Sequence, residues 1–203
     1  MYILTDRTGC ELTVKGSRFL AEVIPVESQA DAREALKSQK TKYADATHVV
    51  HAFVTGLGAE VMGMSDDGEP AGTAGRPVLD VLKGRGITNI LLTVTRWFGG
   101  TLLGTGGLVK AYGDSAKMVL DKVFAENLAE EYVAKREFSF SVAYDLYEKV
   151  KYMLKDFSIS AVTEDFGEKV TLNGKIVRSE FDVFAARLKD MTNGVVELSR
   201  EGL

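Results

Sequence analysis

Residues 96–112, Arg96-Trp97-Phe98-Gly99-Gly100-Thr101-Leu102-Leu103-Gly104-Thr105-Gly106-Gly107-Leu108-Val109-Lys110-Ala111-Tyr112, constrain this chain more than any other stretch. An apolar, β-branched run over Ile90 to Thr95 leads into them. Leu108, Val109, Tyr112, Ala116, Val119, Leu120 and Val123 follow at helical spacing. The stretch therefore joins a strand buried on both faces to a long helix that covers a sheet. The five glycines between them suit a backbone that turns sharply or approaches another object closely. A glycine-rich strand-to-helix turn also presents free N–H groups at the positive end of a helix, which suits an anion such as phosphate. A tight turn against a neighbouring strand accounts for the glycines equally well.

A second loop, Ser65-Asp66-Asp67-Gly68-Glu69-Pro70-Ala71-Gly72-Thr73-Ala74-Gly75-Arg76-Pro77, holds three carboxylates, three glycines and two prolines. Asp66, Asp67 and Glu69 fit three roles: hard oxygen ligands for Mg²⁺ beside a phosphate, a general acid–base set, or a structural turn with Gly68 at positive φ. Carboxylates this close repel one another, and Arg76 or Arg96 is the expected counter-charge. Arg96 also suits forked binding of phosphate or carboxylate. Trp97 and Phe98 point to opposite faces of their strand. Core packing is expected of both, with stacking on a base as the alternative role.

The two loops together resemble the YigZ/IMPACT family. Lys15-Gly16-Ser17-Arg18-Phe19 and His48 to Phe53 are similar to further segments of it. The resemblance runs through the whole chain and matches the bacterial two-domain form. It implies a two-layer α/β sandwich like ribosomal protein S-five domain two, also seen in elongation factor G domain IV. A ferredoxin-like βαββαβ domain resembling elongation factor G domain V follows. It further implies a translation-associated role. Eukaryotic members carry an extra N-terminal domain that binds a translation regulator. This chain starts at the shared domain, so that partner is not carried over.

The expected domains are 1–132 and 133–203. In the first, strands over 11–15 and 18–26 form a hairpin at Gly16-Ser17. Ser28 caps a helix to about residue 40. Strands over 48–55 and 59–65 flank Gly56-Leu57-Gly58, and a short helix runs from Arg76-Pro77 to Leu82. Residues 125–134 are polar and read as a linker. In the second domain, strands over 137–143, 159–164, 169–177 and 195–199 alternate with helices over 146–157 and 181–191. That order is the split βαβ pattern.

Composition narrows the function classes. No apolar run approaches the ~20 residues that span a bilayer, and the N-terminus lacks a secretory pattern. Cys10 is the only cysteine, so no internal disulfide forms, and a reducing cytoplasm is the expected location. A net charge of −4 argues against indiscriminate nucleic-acid binding. Lys15, Arg18, Lys40, Lys42, Arg76, Lys83, Arg85, Arg96 and Lys110 are expected to be solvated charges unless they gather on one face. His48 and His51, the only histidines, lie on opposite faces of a strand and so do not share a metal. One of them is a candidate polar site residue. No metal or cofactor is expected.

The candidate anion site comprises Arg96, Gly99, Gly100, Gly104, Thr105, Gly106, Gly107, Lys110 and Arg76, with the acidic loop beside it. Residues 65–77 and 96–107 are expected to rim one concave site. Three function classes stand. The first is a translation-associated regulator binding RNA, the ribosome or a translation factor. The second is an enzyme acting on a phosphate-containing small molecule. The third is a protein-interaction adaptor. No complete catalytic constellation is legible.

Overall fold

The computed structural model describes residues 1–196 and 198, and these form two compact units that divide between Tyr132 and Val133. The first unit runs β1 (Tyr2–Leu4), β2 (Thr8–Val14), β3 (Ser17–Pro25), α1 (Gln29–Lys42), β4 (His48–Thr55), β5 (Val61–Ser65), α2 (Gly75–Arg85), β6 (Ile87–Thr88), β7 (Ile90–Trp97), α3 (Gly104–Ala125) and β8 (Ala129–Glu131). Five strands form an antiparallel sheet in the order β2-β3-β7-β4-β5. The short strands make a second sheet, β6-β1-β8. Residues 129–131 pair with β1, so part of the expected linker is sheet. Three-residue strands carry no periodicity that a sequence reveals.

Side-chain alternation sorts the main sheet into two faces. Phe19, Ala21 and Val23 of β3, Val50, Ala52 and Val54 of β4, and Ile90, Leu92 and Val94 of β7 pack against α2 and α3. From α3, Leu108, Ala111, Tyr112, Ala116, Val119, Leu120 and Val123 close this core. The opposite face holds a smaller core, where Ala32 of α1 meets Ile24, Phe53 and Leu91. Helix α1 begins as its sequence indicates. Ser28 and Asp31 form a reciprocal capping box.

Two local features set the surroundings of Arg96. Lys15 and Gly16 both take positive φ (47° and 81°), giving the two-residue turn whose twist matches antiparallel strands. Along β7, the alternation that buries Leu92 and Val94 also turns Arg96 toward the helix face. There the register sets Phe19 on one side of it and His48 on the other.

The second unit runs β9 (Lys135–Val142), α4 (Tyr144–Leu154), β10 (Ile159–Phe166), β11 (Val170–Val177) and α5 (Phe181–Met191). Its sheet is antiparallel in the order β10-β11-β9. Phe138, Phe140, Leu172 and Ile176 of the sheet bury against Val150 and Met153 of α4 and Phe184 and Leu188 of α5. A closing strand over 195–199 falls in part on residues 197 and 199, outside the described residues. Both units are α+β.

Candidate functional site

The two glycine-dense loops line one cleft of ≈ 500 Å³ on the first unit. Gly68, Glu69 and Pro70 come from the acidic loop. Phe98, Leu102, Leu103, Gly104 and Thr105 come from the segment after β7. Thr47, His48, Arg96 and Leu108 complete the lining.

The polar floor is a buried ion pair. Arg96 Nη1 donates to Glu69 Oε1 at 2.7 Å, and the side chains are 6 % and 3 % exposed. Tyr112 Oη donates to the same oxygen at 2.7 Å. Burial, then the bond to Glu69, push the Tyr112 phenol far above its ordinary range, so it stays a neutral donor. Arg96 Nη2 donates to Ser17 Oγ at 3.3 Å, and Ser17 Oγ also accepts the Gly99 N–H at 3.1 Å. Arg96 Nε is buried and has no hydrogen-bond partner. A charge so far from water persists only when paired, because desolvation rivals the Coulomb gain. Of the two counter-charges expected for the acidic loop, Arg96 is the one that takes the role, while Arg76 pairs along its own helix with Asp80. Only the tertiary pairing decides between them.

The other loop carboxylates serve the backbone. Asp66 accepts N–H groups from Gly72 (2.8 Å), Ala74 (3.1 Å) and Gly75 (2.8 Å), so it caps the start of α2. Burial opposes its ionisation, but the three N–H donors outweigh that and hold its pKa below the usual range. Asp67 accepts the Val49 N–H at 2.7 Å and pairs with Lys40. Burial again opposes ionisation, and Lys40 and Val49 overcome it. Among the described residues no group of three or more His, Cys, Asp or Glu is placed to hold a metal ion.

His48 Nδ1 lies 2.7 Å from the Asp67 carbonyl oxygen, which only accepts, so Nδ1 carries a proton. Its Nε2 sits 3.9 Å from Glu69 Oε1 at the cleft. His51 lies on the opposite face, where burial and then Lys40 favour its neutral form.

The glycines divide by role. A Cβ at Gly99 would overlap the Gly16 backbone, so this glycine lets the β7 exit pack on the β2–β3 turn. Gly107 packs on Leu103. Gly100 and Gly104 take positive φ (85° and 73°), turning the chain into α3. Gly106 is exposed and nothing lies within 4 Å of where its Cβ would be. The fold does not require glycine there.

Helix α3 starts without a side-chain cap and with no acidic residue in its first turn. Each other α-helix has a carboxylate at its start: Asp31, Asp66, Asp145 and Asp182 for α1, α2, α4 and α5. Gly104 and Thr105, at that bare positive end, line the cleft.

Of the nine expected anion-site residues, Arg96, Gly104 and Thr105 line the cleft, and Gly99, Gly100, Gly106, Gly107, Arg76 and Lys110 do not. Arg76 bonds Asp80 along α2 and Lys110 bonds Asp114 along α3, both as exposed i,i+4 pairs. Trp97 is half-buried and donates from Nε1 to Asp45 at 2.8 Å. Phe98 is 47 % exposed rather than packed in the core. Leu102 is 82 % exposed. Sequence reasoning placed both within the 96–107 rim but expected core packing of Phe98, because nothing local distinguishes an apolar rim from an apolar core. It read Tyr112 only as a core position, since helical spacing does not show where a hydroxyl ends.

Both units match known families. The model of the Impact N-terminal domain matches residues 15–120, and that of a domain of unknown function, DUF1949, matches residues 140–195. The chain is 31% identical to IMPACT family member YvyE of Bacillus subtilis over 192 residues, covering 95% of this chain and 86% of that protein. It is 32% identical to IMPACT family member YigZ of Escherichia coli over 187 residues, covering 91% and 90%. A crystal structure of a hypothetical protein superposes with a TM-score of 0.61 at 30% identity, over 99% of this chain and 98% of that one. A structure of the two-domain translational regulator Yih1 aligns at 27% identity with a TM-score of 0.35, over 60% of this chain and 46% of that one.

Proposed function

The chain belongs to the IMPACT family, and from that premise we propose that it is a translation-associated regulator that binds RNA through the cleft of its first unit. The family resemblance supplies the translational setting. The cleft is what favours RNA as the ligand. The observation that carries the reading is the start of α3, a 22-residue helix whose first turn has no cap and no carboxylate and opens on the cleft. Backbone N–H groups at such an end bind phosphate oxygens. A glycine at 106 that the fold does not need keeps that backbone approachable.

The test is co-sedimentation of the purified protein with ribosomes at low and high salt. Pelleting at low salt is expected, with loss in Thr105→Asp, which sets a like charge against the phosphate. Absence of pelleting at low salt overturns the ribosomal setting.

A second reading rests on His48. Its Nδ1–H is anchored on a backbone carbonyl and its Nε2 faces a buried carboxylate at the cleft. That arrangement suits a proton-transferring group acting on a small phosphate-bearing molecule. Turnover of such a compound, abolished in His48→Ala with the fold intact, distinguishes it from the RNA reading.

A further inference from the structure

We propose that the cleft holds one unstacked nucleotide of a single-stranded RNA, its base against Phe98 and its phosphate at the start of α3. This rests on the RNA reading above and narrows it from RNA in general to a splayed single strand.

Four observations converge. First, ≈ 500 Å³ lies within the range of small-ligand pockets, about 300–1,000 Å³. That accommodates a nucleotide and is too small to enclose a helical duplex. Second, Phe98 is 47 % exposed at the cleft, and Arg96 Cζ lies 5.7 Å from its ring centroid. An aromatic ring left to solvent beside a guanidinium is a stacking platform for a base. Third, Arg96 is almost fully buried, lines the cleft and has an Nε–H without an acceptor. A buried donor left unmatched costs free energy, and a small shift of the guanidinium toward a ligand oxygen in the cleft would relieve it. Fourth, the α3 start is a separate set of donors at the same cleft.

Charge pairing opposes a duplex. Of the nine basic residues in the first unit that were candidates for a polyanion face, seven lie within 4 Å of a carboxylate: Arg18, Lys40, Lys42, Arg76, Arg85, Arg96 and Lys110. Duplex binding draws on many free cations and falls steeply with salt. One phosphate held on a helix start predicts a shallow dependence. For a single strand, affinity then drops about threefold between about 50 and 200 mM salt.

The experiment is fluorescence anisotropy of the full chain with a short labelled single-stranded RNA, a duplex of the same composition, and a nucleoside monophosphate as competitor. The expected result is single-strand binding with the shallow salt slope and little duplex binding. Phe98→Ala should weaken it about tenfold, the scale of one lost stacking contact. Thr105→Asp should abolish it. Both positions are exposed, and circular dichroism establishes that the variants fold. Duplex binding equal to single-strand binding, or an unchanged affinity in Phe98→Ala, overturns the nucleotide cleft and leaves the RNA reading standing. Monophosphate binding as tight as the oligonucleotide, lost in Phe98→Ala, keeps the nucleotide cleft and overturns RNA as its source. Binding of none of the three overturns both.

Discussion

Helices α2 and α3 pack against each other, and each comes after a glycine-dense loop that lines the same cleft. Their starts are chemically opposite. At α2 the Asp66 carboxylate takes three backbone N–H groups, so the positive end is neutralised from within the chain. At α3 no side chain does so. Glycine content alone does not separate an anion site from a turn. The separation is made by whether a carboxylate already occupies the N–H groups. In the acidic loop the two aspartates build structure, and Glu69 alone reaches the cleft floor.

Three measurements test this contrast. The largest effect is expected at the floor joining the two loops. Arg96→Ala leaves Glu69 buried beside Tyr112 without its cation, and should cost about 3–5 kcal/mol of unfolding free energy in a denaturant titration. A loss under 1 kcal/mol, roughly that of an exposed pair, would show that the floor is solvated.

Next comes the α2 cap. Asp66→Ala should cost about 1–2 kcal/mol, the scale of a lost N-cap. The pH dependence has a definite sign. The folded-state pKa of Asp66 is depressed, so its contribution is complete above the unfolded carboxylate value of about 4 and is lost as pH falls through the folded one. The gap between parent and variant should therefore close in acid. A gap that persists at the acid end of the titration would contradict the capping role.

The smallest effect has the opposite sign. Thr105→Asp places at α3 the carboxylate that α2 already has, and should raise stability by about 0.3–1 kcal/mol. A neutral or negative change in thermal unfolding would mean that the α3 start is already satisfied. Gain of stability with loss of ligand binding is the signature of an end kept open.

Much of the fold was legible in the chain. The strand over 48–55, the helix over 181–191 and the Ser28 cap stand where pattern and chemistry put them. The sheet of β1, β6 and β8 was not legible, because two- and three-residue strands have no period. The placement of α1 on the second face of the sheet was equally hidden, since local pattern shows that a helix has an apolar side but not what it meets.

The candidate site divides the same way. Residue order alone establishes that residues 65–77 and 96–107 carry opposite charges on glycine-rich backbone, that His48 and His51 diverge, and that a helix starts after the glycines. Those facts come from residue type and from periods of 2 and 3.6, which are local. The three-dimensional fold assigns the partner that each charge takes. Arg96 meets Glu69 across 27 positions because β4 lies beside β7 and brings the acidic loop after β5 with it. Tyr112 reaches the same oxygen because α3 folds back over the sheet. Ion pairs and burial are properties of distance and dielectric, and both are set only when strands distant in sequence become neighbours in space.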